Sequence, residues 1–455
     1  MESLNLKEIA DYLHAKINLN LDLNTEITEI STDTRNLPTG CLFLALRGKN
    51  FDGHDFVEQA ISNGAVVAVT DFQVANMPCL VVENTGKALL EIASLYRSKF
   101  NIPVVAVTGS VGKTTTKELI ACVLSEKFNT LKTEANLNNE IGMPKTLLKL
   151  NKTHEAIVLE MGMNHFEEIS HMSHSAKPTI AVITNIGFSH VENLGSQEGI
   201  KKAKLEILEG MQSDSPVITS ADDKFLASLK QELDRPVYMF STQGNSADVY
   251  AEDIKEENGV TTFTICHENK KLLAVLPAVG EHNVKNALAA YFVGILTGMQ
   301  ENEILCGLAK YQPTGMRQNI MEKNGQIIIA DCYNASPDSM QAGLTVLSNY
   351  DCKGKKIAVL GDMLELGELS KELHAKVGEM AKNATIDRLI CYGKEAKQIA
   401  LHAGDKLEIF CTEEETKLIE QLQNFTQEGD VILFKASHGM HLERVIAKLY
   451  PEEEI

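Results

Sequence analysis

The stretch Val104-Val105-Ala106-Val107-Thr108-Gly109-Ser110-Val111-Gly112-Lys113-Thr114-Thr115-Thr116-Lys117 decides the fold. An apolar, β-branched strand runs into a glycine loop, and Lys-Thr and a helical pattern follow. The backbone N–H groups of such a loop converge on phosphate oxygens, the lysine reaches the terminal phosphates and the threonine hydroxyl can ligate Mg²⁺. The pattern predicts a nucleotide phosphate site formed by Gly109, Ser110, Val111, Gly112, Lys113, Thr114 and Thr115.

This loop is a short form of the general pattern. Val107 stands where the general P-loop has its first glycine, so the chain carries G-x-x-G-K-T. An ordinary strand-to-helix turn is the alternative interpretation.

The composition limits the possible partners. A chain of 455 residues predicts about three domains. With 62 acidic against 43 basic residues the formal net charge is −19. Because no basic cluster interrupts this excess, a nucleic-acid groove or an anionic membrane partner is not expected.

The cysteines and the first residues indicate the compartment. Nine cysteines are odd in number, scattered and never in C-x-x-C spacing, which is typical of reduced thiols. Residues 1–7 lack the apolar segment of a signal peptide, and no run approaches the ~20 apolar residues of a membrane span. A cytoplasmic protein is expected.

The order of apolar segments predicts an α/β fold in three domains. Residues 1–84 alternate short apolar strands with turns, which indicates a small α/β domain. Residues 85–312 contain a helical pattern, the phosphate loop and the βαβ rhythm of a parallel sheet, and they form a predicted ATP-binding domain. Residues 313–455 repeat this rhythm more regularly and predict a Rossmann-like, doubly wound domain without a G-x-G-x-x-G loop.

Two further strand ends carry candidate metal ligands. The strand at 156–160 ends in Glu160, where P-loop enzymes need an acid on the metal side. His190 follows the strand at 179–184 and is a candidate ligand for a second divalent ion. A glutamate that merely ends a strand and an ordinary loop or core histidine are the alternatives.

The motifs that are present and absent narrow the class of enzyme. No N-K-x-D guanine motif occurs, the metal-side acid is glutamate, and a whole domain follows the nucleotide site. These features favour an enzyme that activates a carboxylate by phosphorylation. The basic segment at 199–207 stands out in an acidic chain, although such a segment is usually a solvated helix face.

Taken together, the motifs resemble those of the Mur ligases of peptidoglycan synthesis, in three-domain order over essentially the whole chain. The matching segments are residues 109–115, Glu160, His190, residues 203–206, residues 281–287 and residues 316–317.

Within that family, the chain is most similar to the member that adds D-alanyl-D-alanine to UDP-N-acetylmuramoyl-tripeptide. The supporting segments are residues 31–35, 48–54, 136–144, 331–340 and 361–367. The ligase that adds the third amino acid is the alternative within the family, but its Asp-Asn-Pro-Arg-type motif is not found here. The family's usual Lys-Gly-Ser-Arg also stands here as Lys-Ala-Ser-His at 435–438, so no role of that arginine is carried over to His438.

The resemblance implies roles that spacing does not. Lys204 is implied to be carbamylated and to help His190 hold a second Mg²⁺. Asn283 is implied to contact adenine, with a helix N-cap as the alternative. Arg317 and Asp331 are implied to close over the nucleotide, with an ordinary surface arginine and a strand-end aspartate as the alternatives. Asn138 and Asn139 are implied to line the acyl-phosphate site, and Ser31 and Arg35 to bind the UDP end; local turns are the alternatives for these four.

The implied reaction is an ATP-dependent amide ligation. The terminal carboxylate of the UDP-linked tripeptide attacks the γ-phosphate, and the amine of D-alanyl-D-alanine then attacks the acyl phosphate. Lys113, with Mg²⁺ held through Thr114 and Glu160, neutralises the developing charge. Two rivals are a regulatory or motor NTPase and a catalytically silent nucleotide-binding module. A monomer is expected.

Overall fold

The structure is a computed structural model. The structure describes residues 1–19, 21–48, 50–244, 247–257, 259–313 and 315–451; the last four residues of the predicted third domain lie outside this part. No helix among the described residues has the length and apolar character needed to span a bilayer.

The N-terminal region forms a five-stranded sheet and a separate two-stranded ribbon. The sheet order is β2-β7-β6-β5-β4, and β1 pairs with β3. The elements are β1 Leu4–Asn5, α1 Leu6–Tyr12, β2 Lys16–Asn18, β3 Glu26–Ile27, β4 Ile30–Ser31, β5 Leu42–Leu44, α2 Val57–Ser62, β6 Val67–Thr70, β7 Cys79–Val81 and α3 Thr85–Arg97.

The central region forms a nine-stranded sheet in the order β16-β15-β14-β13-β12-β11-β8-β10-β9. Its strands are β8 Val104–Thr108, β9 Thr130–Lys132, β10 Ala156–Glu160, β11 Ile180–Ile183, β12 Val217–Ser220, β13 Val237–Ser241, β14 Val249–Glu257, β15 Val260–His267 and β16 Lys270–Leu276. Its helices are α4 Lys113–Leu124, α5 Gly142–Leu147, α6 Glu168–Ala176, α7 Val191–Leu194, α8 Gln197–Leu205, α9 Leu229–Glu232, α10 Glu281–Leu296 and α11 Glu301–Ala309.

The C-terminal region forms a six-stranded sheet in the order β17-β18-β22-β19-β20-β21, with only β17 antiparallel. Its elements are β17 Asn319–Lys323, β18 Gln326–Ala330, α12 Pro337–Asn349, β19 Lys356–Gly361, α13 Ser370–Asn383, β20 Arg388–Tyr392, α14 Lys397–His402, β21 Glu408–Thr412, α15 Glu415–Phe425, β22 Val431–Lys435 and α16 Leu442–Leu449.

Burial on both faces explains why the parallel strands are continuously apolar. In β8, Val105 and Val107 belong to the core that includes α4 and α10, whereas Val104 and Ala106 belong to the core on the opposite face. The C-terminal sheet is likewise covered on both faces, by α12 to α14 on one side and by α15 and α16 on the other. The predicted α/β class and doubly wound third region are therefore confirmed.

The strand order brings the predicted motifs to one edge. β8 lies between β10 and β11 and pairs parallel with both. Glu160 is paired with Val107, and Ile183 with Thr108, so all three strands end at the same level. Ligands of open α/β sheets bind at this carboxyl edge. The domain boundaries at 84/85 and 312/313 stay predictions.

Candidate active site

A cavity of about 600 Å³ lies between the central and C-terminal sheets. Predicted site residues on its wall come from the phosphate loop, from the ends of β10 and β11, from α10 and from the C-terminal region. They are Ser110, Val111, Gly112, Lys113, Thr115, Asn138, Asn139, Glu160, His190, Asn283, Arg317 and Asp331. The fold thus gathers on one surface residues that are up to 221 positions apart, from Ser110 to Asp331.

Two glycines shape the phosphate loop. Gly109 has φ +152°, and a Cβ there would lie 1.8 Å from Oγ1 of Thr184. Gly112 has φ +86°, and a Cβ there would lie 2.9 Å from Oδ1 of Asn286. Only glycine combines these backbone angles with these close approaches. Helix α4 then begins at Lys113 without a side-chain cap, so its first N–H groups have no intrahelical acceptor and can bind phosphate.

The end of β11 holds this loop in place. The N–H of Val111 donates a 2.9 Å hydrogen bond to Oδ1 of Asn185. The Thr184 hydroxyl and the Asn185 amide both donate to the carbonyl of Val111, at 2.6 and 2.9 Å. Asn185 was not predicted as a site residue. Its position directly after an apolar strand was the available signal.

Lys113 bends back over the loop, where its Nζ donates a 2.8 Å hydrogen bond to the carbonyl of Gly109. Desolvation in the cavity lowers the pKa of Lys113, while Glu160 opposes this shift and Arg317 adds to it. The ammonium group therefore stands in a poorly solvated site, where an arriving phosphate is a stronger partner than water.

Glu160 is the centre of a hydrogen-bonded group. The Thr114 hydroxyl donates a 2.7 Å bond to its Oε2, and the Asn138 amide donates a 2.7 Å bond to its Oε1. The N–H of Glu160 is held in turn by Oγ1 of Thr133 at 3.0 Å. The carboxylate is buried, as expected of a group with a dedicated partner.

This arrangement fits Mg²⁺. Hydroxyl and carboxylate oxygens are the ligands the ion prefers, and adjacent ligands of an octahedral Mg²⁺ lie about 2.9 Å apart. The separation of 2.7 Å between Thr114 and Glu160 is close to that value. Within the described residues no three His, Cys, Asp or Glu side chains form a metal cluster. Such an open pair suits an ion that takes its remaining ligands from nucleotide phosphates and water.

His190 lies at the same edge and begins the short helix α7. Its backbone is left-handed, with φ +65°. Its Nδ1 lies 2.7 Å from Oε2 of Glu365, a residue of the C-terminal region. The two atoms are close enough for a hydrogen bond, but the angle between the groups is unsuitable for one. The buried Nδ1 therefore has no hydrogen-bond partner in the described chain.

Lys204 is fully enclosed, with 2% of its surface exposed. No hydrogen bond or salt bridge reaches its Nζ from the residues that the structure describes. Burial, and then the positive charge of Lys113, hold the pKa of Lys204 well below its usual value. The alternative of a solvated lysine is therefore wrong for Lys204, although it does describe the exposed Lys202. Lys204 does not lie on the wall of the cavity.

Asn283 occupies the third position of α10, whose N-cap is Gly280. The alternative of an N-cap at Asn283 is therefore wrong. Its amide donates to the carbonyl of Val279 at 2.7 Å and to Oε1 of Gln318 at 2.8 Å. Both N–H groups of the Asn283 amide therefore have acceptors within the described chain.

Arg317 and Asp331 reach the cavity from the C-terminal side. The Arg317 guanidinium lies 4.0 Å from the ring centroid of Tyr333, within cation–π distance. Asp331 pairs at 2.7 Å with Nζ of Lys435, which is buried at the end of β22. Lys435 also lines the cavity and was not predicted as a site residue. Its place at the end of an apolar strand was the available signal.

Asn138 and Asn139 both line the cavity, but their side chains form different hydrogen bonds. Asn138 holds Glu160, as described above. Oδ1 of Asn139 accepts hydrogen bonds from the N–H groups of Ile141 and Gly142, at 3.2 and 2.8 Å. Asn139 therefore makes the local turn that was the alternative interpretation, and it also faces the cavity.

Ser31 and Arg35 lie away from this cavity, in the N-terminal region. The Ser31 hydroxyl and the backbone of Asp33 form the local turn that was the alternative interpretation. Arg35 binds the carboxylate of Asp33, lowers the pKa of that group to about 2, and stays 86% exposed. Thr32 accepts a 2.8 Å hydrogen bond from Lys145 of α5, so this loop faces the central region.

Comparison with known proteins gives consistent matches along the chain. Three domain families match: "Mur ligase family, catalytic domain" at residues 26–112, "Mur ligase middle domain" at 107–294 and "Mur ligase, glutamate ligase domain" at 316–438. The UDP-N-acetylmuramoyl-tripeptide–D-alanyl-D-alanine ligase of Bacillus subtilis is 39% identical over 437 residues, covering 93% of each chain.

Solved structures agree with these matches. A crystal structure of MurF from Acinetobacter baumannii superposes with a TM-score of 0.92 at 34% identity and covers 99% of both chains. The MurF ligase of Thermotoga maritima in complex with ADP superposes with a TM-score of 0.85 at 31% identity, covering 92% of this chain and 96% of that one.

Proposed function

The chain belongs to the Mur ligase family, and from this premise we propose that it joins D-alanyl-D-alanine to UDP-N-acetylmuramoyl-tripeptide at the expense of ATP. The products are UDP-N-acetylmuramoyl-pentapeptide, ADP and phosphate, in the synthesis of peptidoglycan precursors. The observation that carries this proposal is the cavity in which the phosphate loop faces the C-terminal region. ATP and the UDP-linked substrate place the reaction in the cytoplasm.

The first step transfers the γ-phosphoryl group. A carboxylate oxygen of the tripeptide forms a bond to the γ-phosphorus, the bond to the bridging oxygen breaks, and ADP leaves. Lys113 and the N–H groups at the start of α4 stabilise the charge on the phosphoryl oxygens. Thr114 and Glu160 would hold Mg²⁺, which supplies additional positive charge beside the phosphates.

The second step forms the amide. The free amine of D-alanyl-D-alanine attacks the acyl carbon, a tetrahedral intermediate forms, and the bond to the phosphate oxygen breaks. The amine loses a proton and inorganic phosphate leaves. Because an acyl phosphate hydrolyses readily, the enclosure of the cavity by Arg317, Asp331 and Tyr333 serves to exclude water.

Lys204 is proposed to carry a carbamate. Its amine is the nucleophile that adds to the carbon of CO₂, and the adduct loses one proton to become R–NH–COO⁻. Only an unprotonated amine can do this, and the lowered pKa of the buried Lys204 increases the unprotonated fraction of its amine. The product would be an oxygen ligand near His190 for a second Mg²⁺.

The decisive experiment measures phosphate release with ATP, Mg²⁺ and UDP-N-acetylmuramoyl-tripeptide, with and without D-alanyl-D-alanine. We expect release to depend on the dipeptide and to match pentapeptide formation by mass spectrometry. Release without an amine acceptor would instead indicate a hydrolytic NTPase. Binding of ATP without turnover would indicate a silent module, and addition of an amino acid to the dipeptide precursor would indicate the preceding ligase.

Arg35→Ala is expected to raise the KM for the UDP-linked substrate about 10- to 100-fold, because a hydrogen bond to a charged group contributes about 1.5–3 kcal/mol. The KM for ATP should change little, since Arg35 lies outside the nucleotide cavity. Steady-state kinetics with each substrate varied in turn provide the measurement. Arg47→Ala is the matched control, because Arg47 is an ion-paired arginine of the same region. An equal effect on both KM values would assign Arg35 to folding.

A further inference from the structure

The segment that carries His190 is held by the C-terminal region at several points. We call residues 187–192 the His190 loop. At its start, Gly187 lies so close to Asp338 that a Cβ there would be 2.4 Å from the carboxylate. Next to it, the ammonium group of Lys376 lies 5.5 Å from the ring centroid of Phe188. Both partners belong to helices that cover the C-terminal sheet. The His190 loop, which follows a strand of the central sheet, therefore packs against the C-terminal region.

The His190 loop also contacts the segment 361–367, to which the proposed reaction assigns no role. Gly367 has φ +54°, and a Cβ there would lie 3.1 Å from Cγ of Glu192. Between these contacts, Oε2 of Glu365 lies 2.7 Å from Nδ1 of His190. Both residues have left-handed backbones, with φ +63° and +65°. Such angles are unfavourable for non-glycine residues and persist where surrounding contacts impose them.

The base of segment 361–367 is rigid. The buried Asp362 accepts hydrogen bonds from the N–H groups of Ala396 and Lys394, at 2.6 and 3.1 Å. The N–H of Met363 donates to Nε2 of His374 at 2.9 Å, and that of Leu364 to Oγ of Ser437 at 2.9 Å. The carboxylate of Glu365 is therefore presented from a fixed support rather than from a free loop.

The contact assigns different environments to the two ring nitrogens of His190. Glu365 stands at Nδ1 and is not on the cavity wall, whereas His190 is on it. A carboxylate that accepts a hydrogen bond from Nδ1–H fixes the tautomer in which Nε2 carries a lone pair. The buried Nδ1 lacks a hydrogen bond, and Oε2 of Glu365 already lies within hydrogen-bond distance of it.

We propose that Glu365 is a positioning residue that orients His190 from across the domain contact and keeps its Nε2 unprotonated toward the cavity. This inference rests on the proposed function. Because Glu365 belongs to the C-terminal region, its effect on His190 exists only while that region is docked on the His190 loop. Docking of the C-terminal region therefore also orients His190 and fixes its tautomer.

The kinetic test compares Glu365→Ala with Glu365→Gln. Loss of a group that orients a ligand histidine typically lowers metal affinity or activity 10- to 100-fold. For Glu365→Ala we expect a kcat lower by about that factor, a higher Mg²⁺ requirement, and KM values for ATP and the UDP-linked substrate within about twofold of the wild type. Glu365→Gln should recover most of the activity, because its carbonyl oxygen also accepts from Nδ1–H.

Glu368→Ala is the matched control, because Glu368 is an exposed glutamate three residues further on, with no ion pair in the described part of the chain. Thermal unfolding of all variants should coincide. A wild-type kcat and Mg²⁺ requirement in Glu365→Ala would overturn the proposal. Equal losses in both Glu365 variants, together with reduced thermal stability, would overturn it in favour of a structural role.

A second readout does not depend on turnover. With ring-¹⁵N-labelled histidine, the His190 signal, assigned by its loss in His190→Asn, reports the tautomer at about pH 8.5, above the usual histidine pKa of about 6.5. We expect Nδ1–H in the wild type and a shift toward Nε2–H in Glu365→Ala. The same tautomer in both proteins would overturn the proposal. If the wild type made no pentapeptide, the proposed function would fail, and this spectroscopic result would stand apart from it.

Discussion

Replacement of Lys113 by alanine is expected to lower the rate of ligation at least ~10³-fold while the fold stays intact. The reason lies in its surroundings. Lys113 begins α4, bends over the phosphate loop and stands in a poorly solvated cavity. Its charge is therefore little screened, and its loss removes stabilisation from the transferring phosphoryl group. The measurement is kcat for dipeptide-dependent phosphate release at saturating substrates.

The control for this variant is Lys127→Ala, which removes an exposed lysine just beyond the other end of the same helix. It should retain wild-type turnover. Thermal unfolding should show that the Lys113 variant is folded, since among the described residues the Lys113 side chain forms a single hydrogen bond, to the loop carbonyl. Near-normal turnover in a folded Lys113→Ala protein would remove the phosphate loop from the reaction.

The arrangement of the three central strand ends could be predicted because it follows from local rules. Apolar, β-branched runs separated by helical patterns give parallel strands, and the carboxyl ends of such strands meet at one edge. The phosphate loop, Glu160 and His190 follow three such strands, and the structure places all of them on one cavity. Their chemical roles stay predictions.

The partners of these residues could not be predicted, because they depend on how the regions dock. Nothing in the sequence near His190 points to Glu365, which is 175 positions away. The pairing of Asp331 with Lys435 likewise depends on β18 and β22 being neighbours in the sheet, although they stand at opposite ends of the C-terminal region.

The burial of Lys204 could have been predicted from the spacing of apolar residues around it, but the basic composition of the segment favoured a solvated helix face instead. Ile200, Ala203, Lys204 and Ile207 recur at the spacing of one helix face, and all four are buried. Lys202, off this face, is exposed. A lysine on the apolar face of a helix is removed from water, and desolvation of that kind lowers a lysine pKa.

Lys204→Ala is expected to be nearly inactive, and a short-chain carboxylate such as acetate should restore part of the activity. The reason is that the carbamate supplies carboxylate-like oxygens, which an added acid can replace in the vacated space. A short-chain amine should not restore activity, because an ammonium group cannot ligate a metal ion. The measurement is dipeptide-dependent phosphate release over a series of acetate concentrations, with Lys202→Ala as the matched control on the same helix.

A direct observation of the adduct accompanies these kinetics. In the wild type equilibrated with ¹³C-labelled CO₂, a carbamate carbon signal should be present, and it should be absent from Lys204→Ala and unchanged in Lys202→Ala. Without a carbamate, Lys204 would be a lysine with 2% of its surface exposed and no hydrogen-bond or salt-bridge partner in the described chain, and removal of an uncompensated charge from water costs stability. Full activity of Lys204→Ala would exclude the residue from the reaction. Inactivity that acetate partly restores, together with loss of the carbon signal, would support a carbamate on Lys204 that is required for catalysis.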